Sequence, residues 1–124
     1  MTVTMIGVTA LLLLVLVSAL GLAAAVLGAH RARAAADLGA LAGAVAGQAG
    51  QAPATACGQA ARVVIRNGAR PMSCRCDPDG TCELDVAVRV RTPLPGLRSA
   101  WAHARSRAGP WPGVPLSSAG RPDP

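Results

Sequence analysis

The chain of 124 residues has room for one small domain plus an extension. Hydrophobic residues make up 52% of it, yet Phe and Tyr are absent and Trp occurs twice, so the apolar share is largely Ala, Val and Leu; a soluble core of such side chains is thin and calls for a membrane, a partner or cross-links. All twelve basic residues are arginine and the net charge is +6, but the arginines run from Arg31 to Arg121 without a dense cluster or interleaved aromatics, which argues against a nucleic-acid surface.

Residues 5–29, "MIGVTALLLLVLVSALGLAAAVLGA", carry no charge. As a helix they exceed the ~30 Å hydrocarbon thickness of a bilayer, which predicts a transmembrane helix. A cleaved signal peptide is the rival. Its apolar region is shorter and preceded by basic residues, and residues 1–29 contain none, although "LAAAV" (22–26) offers a small-residue cleavage site near Ala25. The first charges, Arg31 and Arg33, follow the apolar run, and the positive-inside rule taken alone puts the C-terminal part in the cytoplasm.

The helix is expected to continue through residues 30–50, which lack proline. Leu38, Leu41 and Val45 form a narrow stripe at helical spacing. Gly39, Gly43 and Gly47 form a second stripe of small residues, which lets another helix approach closely; an Ala/Gly-rich stretch also produces such spacing by chance. Arg33 and Asp37 stand at i,i+4.

Residues 48–56 read as a break, with Thr55 an N-cap for a short amphipathic helix over 57–69. Cys57, Ala60, Ala61, Val64 and Gly68 share one side of that helix, and Asn67–Gly68 suits a left-handed C-cap. Strict alternation over 82–91 predicts a half-buried strand with Cys82, Leu84, Val86, Val88 and Val90 inward. Residues 70–76 form its partner, with Met72, Cys74 and Cys76 on the core face. "DPDGT" between them fits a type I turn with a glycine bulge, which sets Asp77 opposite Thr81, Cys76 opposite Cys82 and Cys74 opposite Leu84. Residues 99–108 alternate small and large side chains and predict a third strand, with a helix as the competing reading. The loop over 92–98 turns the chain back, and the Pro/Gly-rich tail over 109–124 is expected to be disordered.

The cysteine spacing, C-x16-C-x-C-x5-C, leaves three readings. Zinc needs four convergent ligands, and CxC is a poor zinc knuckle. Free thiols belong to a reducing compartment. Disulfides fit the hairpin register: Cys76–Cys82 across the strands and Cys57–Cys74 from the helix to the first strand, the longer loop contributing ~3 kcal/mol. Four cysteines formally allow three pairings. A disulfide framework requires an oxidising compartment and so opposes the positive-inside signal.

"HRARAAADLGALAGA" (30–44) directly after an apolar helix resembles the start of TadE/TadG-like proteins of Flp-type (tight-adherence) pilus systems. The order "C…AARVVIRNGARPMSC" (57–74), a strand, "PLPGL" (93–97) and "ARSRAGP" (104–110) is similar to a short actinobacterial TadE-like subgroup, over roughly residues 5 to 110. The resemblance implies a pseudopilin-like minor component of a pilus or secretion apparatus, with its N-terminus inside, one membrane helix and an exported domain. Family members often carry a charged leader before the apolar run, so "MTVTM" is read as a truncated or misassigned start. The sequence departs from the family in two ways. Pilin-type subunits commonly carry a Glu behind the Gly cleaved by prepilin peptidase, but no Glu follows Gly7 and the only one is Glu83. Cys76 and Cys82 stand as additions to the family's Cys57/Cys74 pair.

The expected fold is α+β: a long transmembrane helix continuing into a pilin-like stalk (1–51), a disulfide-stapled domain of one helix on a two- to three-stranded antiparallel sheet (52–108), and a disordered tail (109–124). The expected function is structural, in a cell membrane with the C-terminal domain extracytoplasmic. Its partners are the membrane and other pilin-like or secretion-system subunits, met through the N-terminal helix. No catalysis, cofactor, metal, nucleic acid or small-molecule substrate is expected; His30 and His103 lie apart, and Asp77, Asp79, Glu83 and Asp85 fit turn chemistry and a solvated face. The alternatives are a secreted disulfide-stabilised domain released by signal peptidase and a cytoplasmic zinc module.

Overall fold

A computed structural model describes residues 2–90 and 99–110. The expected turn over 92–98 and most of the Pro/Gly-rich tail lie outside the described residues. With no proline in its first 52 residues, the chain builds a single helix, α1 (Thr2–Gln48), about 70 Å long at 1.5 Å per residue. Gly50, at φ +81°, ends it in a conformation that costs glycine nothing.

The second helix, α2 (Pro53–Arg66), begins four residues before the expected start. Pro53 occupies its first turn, where the missing N–H has no intrahelical partner to lose. Ala52 is the N-cap and makes no side-chain cap, so Thr55 lies inside the helix instead of capping it. The C-terminus follows the expected chemistry. Gly68 adopts φ +72°, its N–H donates to Ile65 O at 3.0 Å, and Ala69 N–H donates to Val64 O at 3.2 Å, the paired bonds of a Schellman end.

Three strands, β1 (Arg70–Cys76), β2 (Cys82–Val90) and β3 (Ala100–Ala108), form an antiparallel meander in the order β1-β2-β3. The hairpin register is the expected one: Cys76 pairs with Cys82 and Cys74 with Leu84. Its turn closes through Gly80 N–H to Asp77 O (3.0 Å) and Asp77 N–H to Thr81 O (2.8 Å), with Gly80 at φ +83°. Met72 departs from expectation. The register shifts between Pro71 and Ser73, so Met72 is the extra residue of a bulge and leaves the core face. It is exposed and borders a hollow over Ala87 with Arg70, Trp101 and His103. Those four side chains cover Ala87, which is buried although it lies on the outer face of the sheet.

The inner face of the sheet is covered by both helices: α2 lies over β1, and the C-terminal half of α1 lies over β2 and β3. The core joins Ala32, Ala35, Ala36 and Ala40 of α1 to Ala60 and Val64 of α2 and to Leu84, Val86 and Val88 of β2. The half-buried small face of β3, Ala102, Ala104 and Ala108, packs against it. Leu84, Val64, Val86 and Cys82 are the largest fully buried side chains, so the core is thin, as the composition implied. One wall of the core is the last five turns of α1, so the end of that helix packs with the domain over 52–108.

Candidate functional site

The most unusual surface of the molecule is the N-terminal half of α1. Leu11, Leu12, Leu13, Leu14, Val15 and Leu16 follow one another around the helix and are each more than half exposed, from 54% to 64%. No residue from 3 to 27 is buried. The helix is long and apolar enough to cross a membrane, a test that a signal sequence also passes.

From Gly28 onward the same helix obeys a different rule. Most of its small residues face the domain, Ala29 and Ala34 being exposed, and its larger ones face outward. A Cβ placed on Gly39 would stand 2.5 Å from Leu84 Cδ2 and 2.6 Å from Val64 Cγ2. One on Gly43 would stand 3.0 Å from Cys82 Sγ, and one on Gly47 would meet Gly80 Cα at 3.0 Å. The glycine stripe is thus a close-packing surface, but α2, β2 and the hairpin of the same chain fill it. The helix that approaches this stripe is α2 of the same chain, through Ala60 and Val64. Leu38, Leu41 and Val45 point the other way, 48% to 60% exposed, and border a groove of about 480 Å³ with Ala42, Ala49 and Gln59.

The four cysteines form two disulfides, Cys57–Cys74 and Cys76–Cys82, with no free thiol. The local fold brings them together. Cys57 lies in the second turn of α2 facing β1, Cys74 is inward on β1, and Cys76 and Cys82 are directly opposed, with Cα atoms 4.1 Å apart. The sulfurs of Cys57 and Cys76 lie 3.6 Å apart, so the bridges are packed side by side. Cys57, Cys74 and Cys76 converge within 4.8 Å, close enough to share a metal if they were thiolates. In the bridged state they offer none, because thiolate is the ligating form.

The outer face of the sheet is polar and charge-compensated. Arg105 of β3 donates from Nε and Nη2 to the two carboxylate oxygens of Asp85, at 2.7 and 3.0 Å, and approaches Glu83 at 3.5 Å. Ser73 Oγ donates to Asp85 at 2.8 Å. The Arg105 and Ser73 bonds hold the Asp85 carboxyl below the usual aspartate range, and Asp85 in turn raises Arg105. These groups border a hollow of about 310 Å³, but its acids are already engaged. Asp79 lies low because Thr81 donates to it from the backbone N–H (2.8 Å) and from Oγ1 (3.1 Å), which closes the turn. His30 and His103 are exposed and on different elements. Among the described residues, no buried side-chain nitrogen or oxygen lacks a hydrogen-bond partner.

Two features escaped the sequence reading. One is the Arg70–Trp101 contact, with the guanidinium carbon 5.7 Å from the ring centroid. The other is the cleft between the middle of α1 and the end of β2. Both depend on which ends of distant elements meet. Comparison with protein-family models, curated proteins and solved structures finds no match to this chain.

Proposed function

We propose that this chain is a membrane-anchored, TadE-like, pseudopilin-like minor component of a Flp-type pilus or secretion apparatus, working by helix packing and without catalysis. The observation that carries the reading is the division of α1: an apolar half with no buried residue runs without a break into a half that anchors a disulfide-stapled α+β domain. Exposed Leu and Val on all sides of a helix are stable only where the surroundings are apolar. Two disulfides favour an oxidising compartment, so the domain is assigned to the outside and the N-terminus to the inside. Because the glycine face is filled by the chain itself, neighbouring subunits meet residues 3–27 and the Leu38–Leu41–Val45 strip.

A second reading has its own support. The buried core begins at Gly28, so cleavage near Ala25 would leave every core residue in place and release a soluble disulfide-stabilised domain. One experiment separates the readings: a non-reducing peptide map of protein from cells whose free thiols are alkylated before lysis, with membrane and medium fractions analysed separately. Linked Cys57–Cys74 and Cys76–Cys82 peptides in the membrane fraction, with residues 5–29 retained, are the expected result. Linked peptides in the medium, from a chain starting after Ala25, favour the secreted domain. Four alkylated cysteines overturn both and return the zinc reading.

A further inference from the structure

The points of close approach between α1 and β2 run in opposite order along the two elements. Gly28 meets Val90, Gly39 meets Leu84, Gly43 meets Cys82 and Gly47 meets Gly80. The two elements are therefore antiparallel, and the C-terminal end of β2 lies beside α1 where its exposed apolar half ends. A cleft of about 290 Å³ opens there, lined by Ala24, Leu27, Arg31, Val88, Arg89 and Val90. One wall is α1, with Ala24, Leu27 and the exposed Arg31 about a turn apart; the other is the end of β2 beyond Ala87, its last residue paired with β1, where Val88 and Val90 face α1 and the exposed Arg89 alternates with them. No acidic residue lines the cleft, and among the described residues neither Arg31 nor Arg89 has an ion pair or a side-chain hydrogen bond.

We infer that this cleft binds the headgroup of an anionic phospholipid, with the phosphate at Arg31, an acyl chain along Ala24 and Leu27, and Arg89 reaching the phosphate round the edge of β2 that β1 leaves open. The inference rests on the reading of α1 as membrane-spanning. About 20 residues cross the ~30 Å hydrocarbon layer, so a span ending near Leu27 sets Arg31 at headgroup depth. Guanidinium groups present forked N–H donors that match phosphate oxygens, and a surface of this charge attracts anionic lipid over zwitterionic. Trp101 stands opposite Arg89 in the β2–β3 register, which sets its ring at the same end of the domain, and Arg70 lies over that ring. Trp is enriched at this depth because it has an apolar body and a polar edge. The outer-face acids Glu83 and Asp85 lie farther along β2, towards the hairpin.

The test uses the full chain in detergent micelles, with native mass spectrometry after adding phosphatidylglycerol or phosphatidylcholine. The wild type retains phosphatidylglycerol and not phosphatidylcholine, and R31Q/R89Q retains about tenfold less of it. R62Q/R75Q removes the same charge from elsewhere and behaves as the wild type. Soluble glycerol phosphate does not displace the lipid, because it lacks the chain that lies on Leu27. Equal retention by R31Q/R89Q, equal loss in R62Q/R75Q, equal binding of phosphatidylcholine, or displacement by glycerol phosphate each overturns the assignment. Carbonate extraction of the wild type from liposomes is run in parallel. A chain that fails to insert overturns the membrane reading and the lipid site together. A chain that inserts but shows no preference for phosphatidylglycerol overturns the lipid site alone.

Discussion

Residues 3–27 and 28–48 of α1 form one uninterrupted helix, yet they bury opposite kinds of side chain. In the first half nearly all Leu, Val and Ile stand exposed, with Val17 half-buried beside Gly21 and Ala24. In the second, most Ala and Gly are buried while Leu38, Leu41 and Val45 face outward. Small side chains bury little area, but they let backbones and whole sheets approach closely, and the domain uses that proximity in place of bulk. Among the described residues the first half buries no side chain, and its large apolar side chains suit a lipid solvent. One helix thus passes from a region that is long and apolar enough to cross a membrane to one held by close packing and two covalent bridges.

The comparison breaks most sharply if the first half is given charge. Leu13→Arg with Leu16→Arg adds ~2.5–3.5 kcal/mol per arginine to insertion at the centre of a span. The pair should move the chain out of the carbonate-resistant membrane fraction while leaving the thermal midpoint of the domain unchanged, since neither leucine touches the core. A lowered midpoint would mean that residues 3–27 support the domain, and the two halves would no longer be independent.

The bridges give the next largest effect. Replacing Cys57 and Cys74 together by Ser opens a loop with a sequence separation of 17; replacing Cys76 and Cys82 opens one of 6. Chain entropy predicts losses of about 3 and about 2 kcal/mol respectively. Urea midpoints of the two double variants, measured in the same detergent, should fall in that order. The reverse order would show that packing of the hairpin bridge against Ala46 and Ala56 outweighs loop length.

A single methyl group tests the two halves against each other. Gly39→Ala pushes a Cβ to 2.5 Å from Leu84 and 2.6 Å from Val64, and should cost about 1–3 kcal/mol by overpacking. Gly21→Ala meets nothing within 4 Å and should leave stability unchanged or raise it by up to ~1 kcal/mol, since Ala is the better helix former. Thermal melts of the two variants decide the matter. Equal losses would mean that the glycine face is not packed as described.

Much of the fold was legible because local chemistry is strong in this chain. Period-2 alternation in β2, the Asp-Pro-Asp-Gly turn and the Asn67–Gly68 helix end each specify a backbone state by themselves, and together they set the hairpin register that brings Cys76 to Cys82. The misreadings share a different cause. Met72 keeps the right spacing for the core face, but a bulge is decided by how β1 must bend over its neighbours. Thr55 is a good cap by type, but Pro53 starts the helix first. The glycine stripe announces a close approach without saying what approaches. The cleft at Arg31 and Arg89 joins residues far apart in the chain, and no local pattern encodes the meeting of two element ends.

The smallest predicted effect lies on the solvent face of the sheet and gives a measure against which the buried contacts can be judged. Asp85 is held below its ordinary value by Arg105 and Ser73, and Asp79 by Thr81. A carboxyl group whose folded-state pKa is depressed contributes stability that is fully present above the unfolded value of about 3.9 and is lost as pH falls through the lower folded value. The thermal midpoint should therefore hold steady from neutral pH down to about 4 and decline below it, more gently in Asp85→Asn because that variant has no Asp85 carboxylate to protonate. The bridge is solvent-exposed, so added salt should weaken its share of the decline. A midpoint that rises as pH falls below about 4 would reverse the sign of the linkage and remove Asp85 as the group responsible. If the decline is the same size in Asp85→Asn and in wild type, the pH dependence belongs to Asp79 and the turn. The Arg105 bridge then orders the outer face without measurably stabilising it.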